Sequence, residues 1–260
     1  MTHNEIITKL KAAGIENADG EARMLLEAFS GPSLEAAVSR RCERYPLQYI
    51  LGEWPFYRET YEVNEHCLIP RQDTEILVDT ALHILPNGVR FLDLCTGSGC
   101  VAISLLANRP DAEGMGLDLY PETLALAQRN SVRNGVSDRL QLLCHDVLTP
   151  PPQALPHGHF DAILSNPPYI KNEVIATLEK ELFFEPIAAL DGGASGLSFY
   201  CAILEKWTAL LKPTGMVLFE IGYDQGDDIE RLAAAHGFSC TIKKDFGGND
   251  RVAILQKNEI

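Results

Sequence analysis

Apolar positions in the first 44 residues recur at helical spacing. Ile6, Ile7, Leu10 and Ala13 share one face behind Thr2-His-Asn-Glu5, whose spacing predicts a capping box, and Gly14 ends the run. A second helix is predicted over Asp19–Phe29, ended by Gly31-Pro32, and a third over Ser33–Arg44, stopped before Pro46. Each is too short to bury much surface alone, so the three are expected to pack as a small bundle. Phe56–Val63 then alternates aromatic and β-branched residues with polar ones, the pattern of a connecting hairpin.

From about Arg71 the period changes. Strands are predicted at Val89–Cys95, Gly114–Leu119, Leu140–His145, Asp161–Ser165 and Gly215–Ile221, with helices over Val101–Ala107, Glu122–Asn130 and Phe199–Leu211 between them. Such alternation predicts an α/β fold, a parallel sheet with helices on both faces. Phe238–Lys244 and Arg251–Gln256 are joined only by a Gly-containing loop, so the last strand is expected to run antiparallel to its neighbour. The expected division is a helical domain over 1–55, a hairpin linker over 56–70 and an α/β domain over 71–260.

Charge narrows the function. With 22 basic against 36 acidic residues, the net charge of −14 opposes tracking of a nucleic-acid backbone. Seven cysteines form no Cys-x-x-Cys pair, which predicts reduced thiols and no metal site. The opening residues have no signal-peptide core, and no apolar run reaches spanning length, so a cytoplasmic protein is expected, with no membrane partner.

The stretch Asp93-Leu-Cys-Thr-Gly-Ser-Gly99 follows a predicted strand and opens a helix, and Asp118 ends the next strand about 20 residues on, where an acid binds ribose hydroxyls. Both features suit any ribose-bearing cofactor. A pyrophosphate wants bare amides at a helix N-terminus, and Asp93 would repel it. S-adenosylmethionine has no phosphate and carries an ammonium and a sulfonium, which an acid beside the glycines suits. Bracing of the loop is the other role open to Asp93.

Asn166-Pro-Pro-Tyr169 closes the fourth strand, across the expected switch point of the sheet from the glycine loop. A planar NH2 is a poor nucleophile. The Asn166 side-chain oxygen and the Pro167 carbonyl can each accept one of its N–H groups, the prolines stiffen both acceptors, and Tyr169 can stack on the flat face. A carboxamide and an adenine amine pose the same problem, and the motif leaves both open. The acidic chain, with only a small helical region to spare, favours a protein substrate over a flipped base. Glu181, Glu185, Glu220, Tyr223 and Gln225 also fall near this pocket, where structural pairing accounts for them.

From about Arg41 to Val252 the chain resembles the HemK-type protein-(glutamine-N5) methyltransferases of peptide chain release factors. The resemblance runs in order through Arg44-Tyr-Pro-Leu-Gln-Tyr-Ile-Leu-Gly52, Leu68-Ile-Pro-Arg71, Thr74-Glu-Ile-Leu-Val78, the Asp93–Gly99 loop, Asn166–Tyr169, Glu185-Pro-Ile-Ala-Ala-Leu190, Gly215–Gly222 with Gln225, and Asp250-Arg-Val252. It implies a class I S-adenosylmethionine-dependent methyltransferase, seven-stranded and mostly parallel, behind a helical domain that holds the substrate. It implies that Cys95, Thr96, Gly97, Ser98, Gly99, Asp118, Val147 and Asn166 bind the cofactor, which leaves as S-adenosylhomocysteine. Asn166, Pro167, Pro168 and Tyr169 would hold the glutamine of a release factor's Gly-Gly-Gln loop, with Asn166, Pro167 and Tyr169 catalytic. A monomer with no direct nucleic-acid partner is expected. Departures are Cys95 for the loop's usual first glycine, Gln72 and Asp73 after Leu-Ile-Pro-Arg, Ser195 for a common Asp, and a short helical domain. Alternatives are a ribosomal-protein glutamine methyltransferase, a DNA or RNA adenine methyltransferase, a catalytically silent cofactor-binding module and a dinucleotide enzyme.

Overall fold

A computed structural model describes residues 1–258. The chain opens with α1 (His3–Ala12), α2 (Ala18–Ala28) and α3 (Gly31–Cys42), and the short α4 (Leu47–Leu51) follows. Thr2 and Glu5 form the reciprocal capping box read from their spacing. Gly31-Pro32 opens α3 rather than only closing α2, since a first-turn proline lacks an N–H that would find no helical partner there. Ile6, Leu10, Leu25, Leu34, Val38 and Leu47 close one apolar cluster among these helices.

The hairpin pairs β1 (Glu53–Phe56) with β2 (Glu59–Glu62). It begins three residues before the predicted start, because Pro55 interrupts the alternation without breaking an edge strand. Its turn places Tyr57 at φ 57°, and the Tyr57 amide donates to Glu75 at 3.0 Å. Beyond it lie α5 (Glu75–Ile84), β3 (Arg90–Leu94), α6 (Cys100–Asn108), β4 (Glu113–Asp118), α7 (Pro121–Arg133), β5 (Leu140–Cys144) and β6 (Phe160–Ser165). The short α8 (Asn172–Ile175), α9 (Ser198–Ala202), β7 (Leu211–Glu220), α10 (Gly226–Ala235), β8 (Phe238–Lys244) and β9 (Asp250–Lys257) complete the described chain.

The seven-stranded sheet has the order β5-β4-β3-β6-β7-β9-β8. β9 inserts between β7 and β8 and runs antiparallel to both, and the other neighbouring pairs are parallel. Its two faces bury separate apolar clusters: Phe91, Leu105, Ala162 and Leu218 lie in one, and Leu92, Ile163, Trp207 and Phe219 in the other. That division follows from the period of two along β3, where Phe91 and Leu92 point to opposite faces. The helix predicted over Phe199–Leu211 is interrupted: α9 passes into a π-helical turn at Ile203–Trp207 and a 3-10 turn at Thr208–Leu210. In this arrangement the buried Trp207 donates its indole N–H to the Val147 carbonyl at 2.9 Å.

Connections leave β3 toward one edge of the sheet and β6 toward the other, so the switch point lies between these two strands. Leu94 pairs with Ser165, which sets Cys95 and Asn166 side by side just beyond the strand ends.

Candidate active site

Asp93, the penultimate residue of β3, is almost fully buried at 1% exposure and holds the turn that follows. One carboxylate oxygen accepts the Thr96 hydroxyl at 2.6 Å and the Ala102 amide at 3.2 Å. Burial pushes this carboxyl up to about 7, against the pull of both donors. Asp93 thus takes the bracing role, while it also lines the cavity. Cys95 stands in the left-handed region at φ 62°. That conformation is the physical reason a glycine is usual there, because a Cβ costs about 1–2 kcal/mol in it.

Gly97 donates its amide to Asp118 at 3.0 Å, and the other Asp118 oxygen accepts the Tyr120 amide at 3.2 Å. Burial raises the Asp118 carboxyl above its ordinary range even so. Gly99 caps α6 at φ 81°, and a Cβ there would meet Ile103 at 2.7 Å. That close approach packs the first turn of the helix.

A cavity of about 200 Å³ opens beside this loop at the switch point. Cys95, Thr96, Gly97, Ser98, Asp118, Val147, Asn166 and Pro168 line it; Gly99, Pro167 and Tyr169 do not. The Tyr169 hydroxyl donates to the buried Glu220 at 3.3 Å, and its half-buried ring packs with the Leu92–Phe219 cluster. Pro167 can act only through its carbonyl, which no donor among the described residues reaches. Cavity-wall residues that sequence reasoning missed include Leu119, Tyr120 and Phe199. Leu119 and Tyr120 keep 47% and 44% exposure, and the available signal was two apolar residues directly after the acid at a strand end.

Asn166 is oriented by a residue far off in sequence. Its side-chain Nδ2 donates to Thr74 Oγ1 at 3.1 Å, which leaves its Oδ1 as the free acceptor. The Asn166–Tyr169 turn is braced from beneath by Gln225. Nε2 of Gln225 donates to the Tyr169 and Gly196 carbonyls at 3.2 and 3.1 Å, and its Oε1 accepts the Gly222 amide. Tyr223, by contrast, is 69% exposed.

The acids Glu181 and Glu185 are structural. Glu181 pairs with Arg41 and Arg44 of the helical region. Burial opposes its charge, and the two guanidiniums outweigh that and hold its pKa low. Glu185 accepts from Arg71 and from the Ile69 amide. The pair fixes the Leu68–Arg71 segment over the cavity wall.

Three carboxylates, Asp93, Asp118 and Asp146, face one guanidinium in the cavity wall, and that one, Arg71, is already paired. This donor set repels a pyrophosphate and suits a cationic, ribose-bearing ligand. Fold, switch-point cavity and glycine loop together define a class I methyltransferase domain. A methyltransferase from Pyrococcus furiosus shares the fold, with a TM-score of 0.57 and 20% identity over 76% of this chain and 89% of that one. The family model described as "Methyltransferase small domain" matches residues 72–195. Release factor glutamine methyltransferases from Caulobacter vibrioides and Agrobacterium fabrum are 37% and 36% identical, over 97% and 96% of this chain and 94% of each of theirs. The chain belongs to the release factor glutamine methyltransferase family.

Proposed function

We propose that the protein methylates the side-chain amide nitrogen of the glutamine in the Gly-Gly-Gln loop of class 1 peptide chain release factors, using S-adenosylmethionine. Membership of the family supports the reaction, and the observation that carries it to this site is Asn166, a residue of the cavity wall whose Nδ2 is held by Thr74 and whose Oδ1 accepts no hydrogen bond among the described residues. Cys95 to Ser98, Asp118 and Val147 would hold the cofactor, which supplies the methyl group as a sulfonium and leaves as S-adenosylhomocysteine.

The chain's own residues solve the problem of the nucleophile. An amide nitrogen is planar because its lone pair is delocalised into the carbonyl. Asn166 Oδ1 accepts one N–H of the glutamine amide and the Pro167 carbonyl accepts the other. Both bonds strengthen as the nitrogen becomes tetrahedral and positive, so they favour the transition state over the ground state. The lone pair then forms the N–C bond, and the nitrogen gives up a proton, which the adjacent oxygen acceptors pass to water. Proline rings remove competing N–H donors and lock φ, so the acceptors need no reorganisation. A separate strong base is unnecessary, because an alkylated amide nitrogen is acidic.

The net charge of −14 favours a substrate with basic, RNA-facing surfaces over a nucleic acid itself. No helix among the described residues is long and apolar enough to cross a membrane. We read the protein as a monomer acting in the cytoplasm.

The test supplies tritiated S-adenosylmethionine with three acceptors: unmethylated release factor, the same factor with its Gly-Gly-Gln glutamine changed to alanine, and duplex DNA. Label on the first alone is the expected result. Equal label on the alanine form, or label on DNA, overturns the acceptor.

A further inference from the structure

The proposed cofactor carries three charges: a sulfonium and an ammonium, which acids suit, and an α-carboxylate, which they repel. The cavity wall offers Asp93, Asp118 and Asp146 to the cations and the ribose, and among its side chains only Arg71 and His66 can be positive. Arginine is charged at every working pH, whereas histidine is not. We infer that Arg71 binds the α-carboxylate of the cofactor and fixes the methionine end beside Asn166. The inference deepens the proposed reaction and rests on its cofactor, not on its acceptor.

Position is the first support. Arg71 lies directly before the 3-10 turn Gln72–Thr74, and its carbonyl accepts the Thr74 amide at 3.0 Å. Thr74 in turn receives Asn166 Nδ2 at 3.1 Å, so one short turn ties Arg71 to the Asn166 end of the cavity. The proposed reaction needs the methyl-bearing sulfonium at that end, and the carboxylate lies only a short carbon chain from the sulfur. Asp118, the candidate ribose acid, ends β4, on the far side of β3 from β6.

Unspent donors are the second. A guanidinium has five N–H groups. Nη2 of Arg71 donates to Oε1 of Glu185, and among the described residues no other hydrogen bond leaves the group. Glu185 is itself fixed: its side chain is 2% exposed, and its Oε2 accepts the Ile69 amide at 2.9 Å. The buried acid therefore pins one edge of the guanidinium, while the Arg71 side chain keeps 37% exposure and lines the cavity. In the glycine loop, by contrast, the Thr96, Gly97 and Gly99 amides are already given to Leu117, Asp118 and Thr96. A carboxylate brought among three acids without a cation is repelled, and a charge-assisted pair with Arg71 reverses that sign.

Calorimetry on the full-length protein compares S-adenosylmethionine with its decarboxylated form, which keeps the sulfonium, the amine and the nucleoside. Wild type should bind the decarboxylated form about 30-fold more weakly. Arg71→Gln alone would leave Glu185 buried without its partner, so it is combined with Glu185→Gln, whose amide oxygen keeps an acceptor for Ile69. The double variant should bind S-adenosylmethionine about 30-fold more weakly than wild type and the decarboxylated form within about threefold of it. Arg71→Lys, which keeps the charge without the planar fork, should retain a preference of about fivefold. Equal wild-type affinity for the two compounds overturns the contact. So does an unchanged preference in the double variant, above all if His66→Gln abolishes it. An equal loss of both compounds in the double variant also overturns it, because Arg71 would then be structural. A wild type that binds neither compound overturns the proposed cofactor and the inference with it. A normal preference in a protein that transfers no methyl group to release factor supports the contact and overturns the proposed acceptor alone.

Discussion

The two halves of the cavity are assembled by opposite means. On the proposed cofactor side the contacts are local: Asp93 holds Thr96 and Ala102, three and nine residues away, and Asp118 takes the Gly97 amide of the same βαβ unit. On the proposed acceptor side each contact spans the chain. Asn166 reaches Thr74 across 92 positions, Tyr169 reaches Glu220 across 51, and Gln225 reaches Tyr169 across 56. A local turn tolerates change within itself, because its backbone supplies most of the geometry. A turn braced by side chains from three segments depends on each of them.

The comparison predicts that the largest loss of stability comes from the acceptor side. Gln225→Leu strips partners from the Tyr169 and Gly196 carbonyls, the Gly222 amide and the Tyr200 hydroxyl. Urea unfolding should show a loss of about 3 kcal/mol; a loss under about 1 kcal/mol would mean that the turn holds itself. On the cofactor side, Asp118→Ala should raise the Kd for S-adenosylmethionine about 10²-fold by calorimetry while kcat at saturation stays within about threefold, since two charge-assisted bonds are lost and none touches the acceptor. An equal fall in kcat would show that the halves are coupled.

Asp93 sharpens the contrast through pH. Its folded value is raised from the ordinary 3.8 to about 7, so the folded chain binds that proton more tightly than the unfolded one. The stability it contributes is complete below about pH 4 and is lost as pH rises through about 7. Asp93→Asn keeps an acceptor for Thr96 and Ala102 and never ionises, so its Tm relative to wild type should climb across that range. A difference that stays flat with pH would deny that Asp93 ionises at the expense of stability. The smallest effect belongs to Cys95. Its change to Gly relieves the left-handed backbone and loses thiol packing, for a net shift within about 1 kcal/mol, whereas Cys95→Val should cost about 2 kcal/mol. Equal thermal shifts for the two would remove the backbone explanation for a glycine at that point.

The same contrast explains what could be read from sequence. The loop at Asp93–Gly99, the acid at Asp118 and the Phe238–Lys244 strand were legible because their determinants are contiguous. Periodicity also located the seven strands, since each alternates or runs apolar over its own length. It could not show that the Tyr169 hydroxyl bonds to Glu220, because that depends on a buried acid 51 residues on, at the end of the next strand. Thr74 was visible only as part of a motif, with no sign of its partner. The π-helical turn before β7 was equally hidden, since Ile203–Trp207 keeps ordinary helical composition and departs from α geometry where Trp207 meets Val147. Gly99 carried a loop signature, but its close approach to Ile103 on the following turn was not legible in it.

The most direct measurement of this division is a paired one on Asn166→Ala, taking S-adenosylmethionine affinity by calorimetry and methyl transfer to release factor in one preparation. On the proposed reading Asn166 holds the acceptor, so kcat should fall about 10³-fold while the cofactor Kd stays within about tenfold of wild type. If affinity and rate collapse together, or if transfer persists, the acceptor does not depend on Asn166 in the way described and the separation of the two halves is wrong.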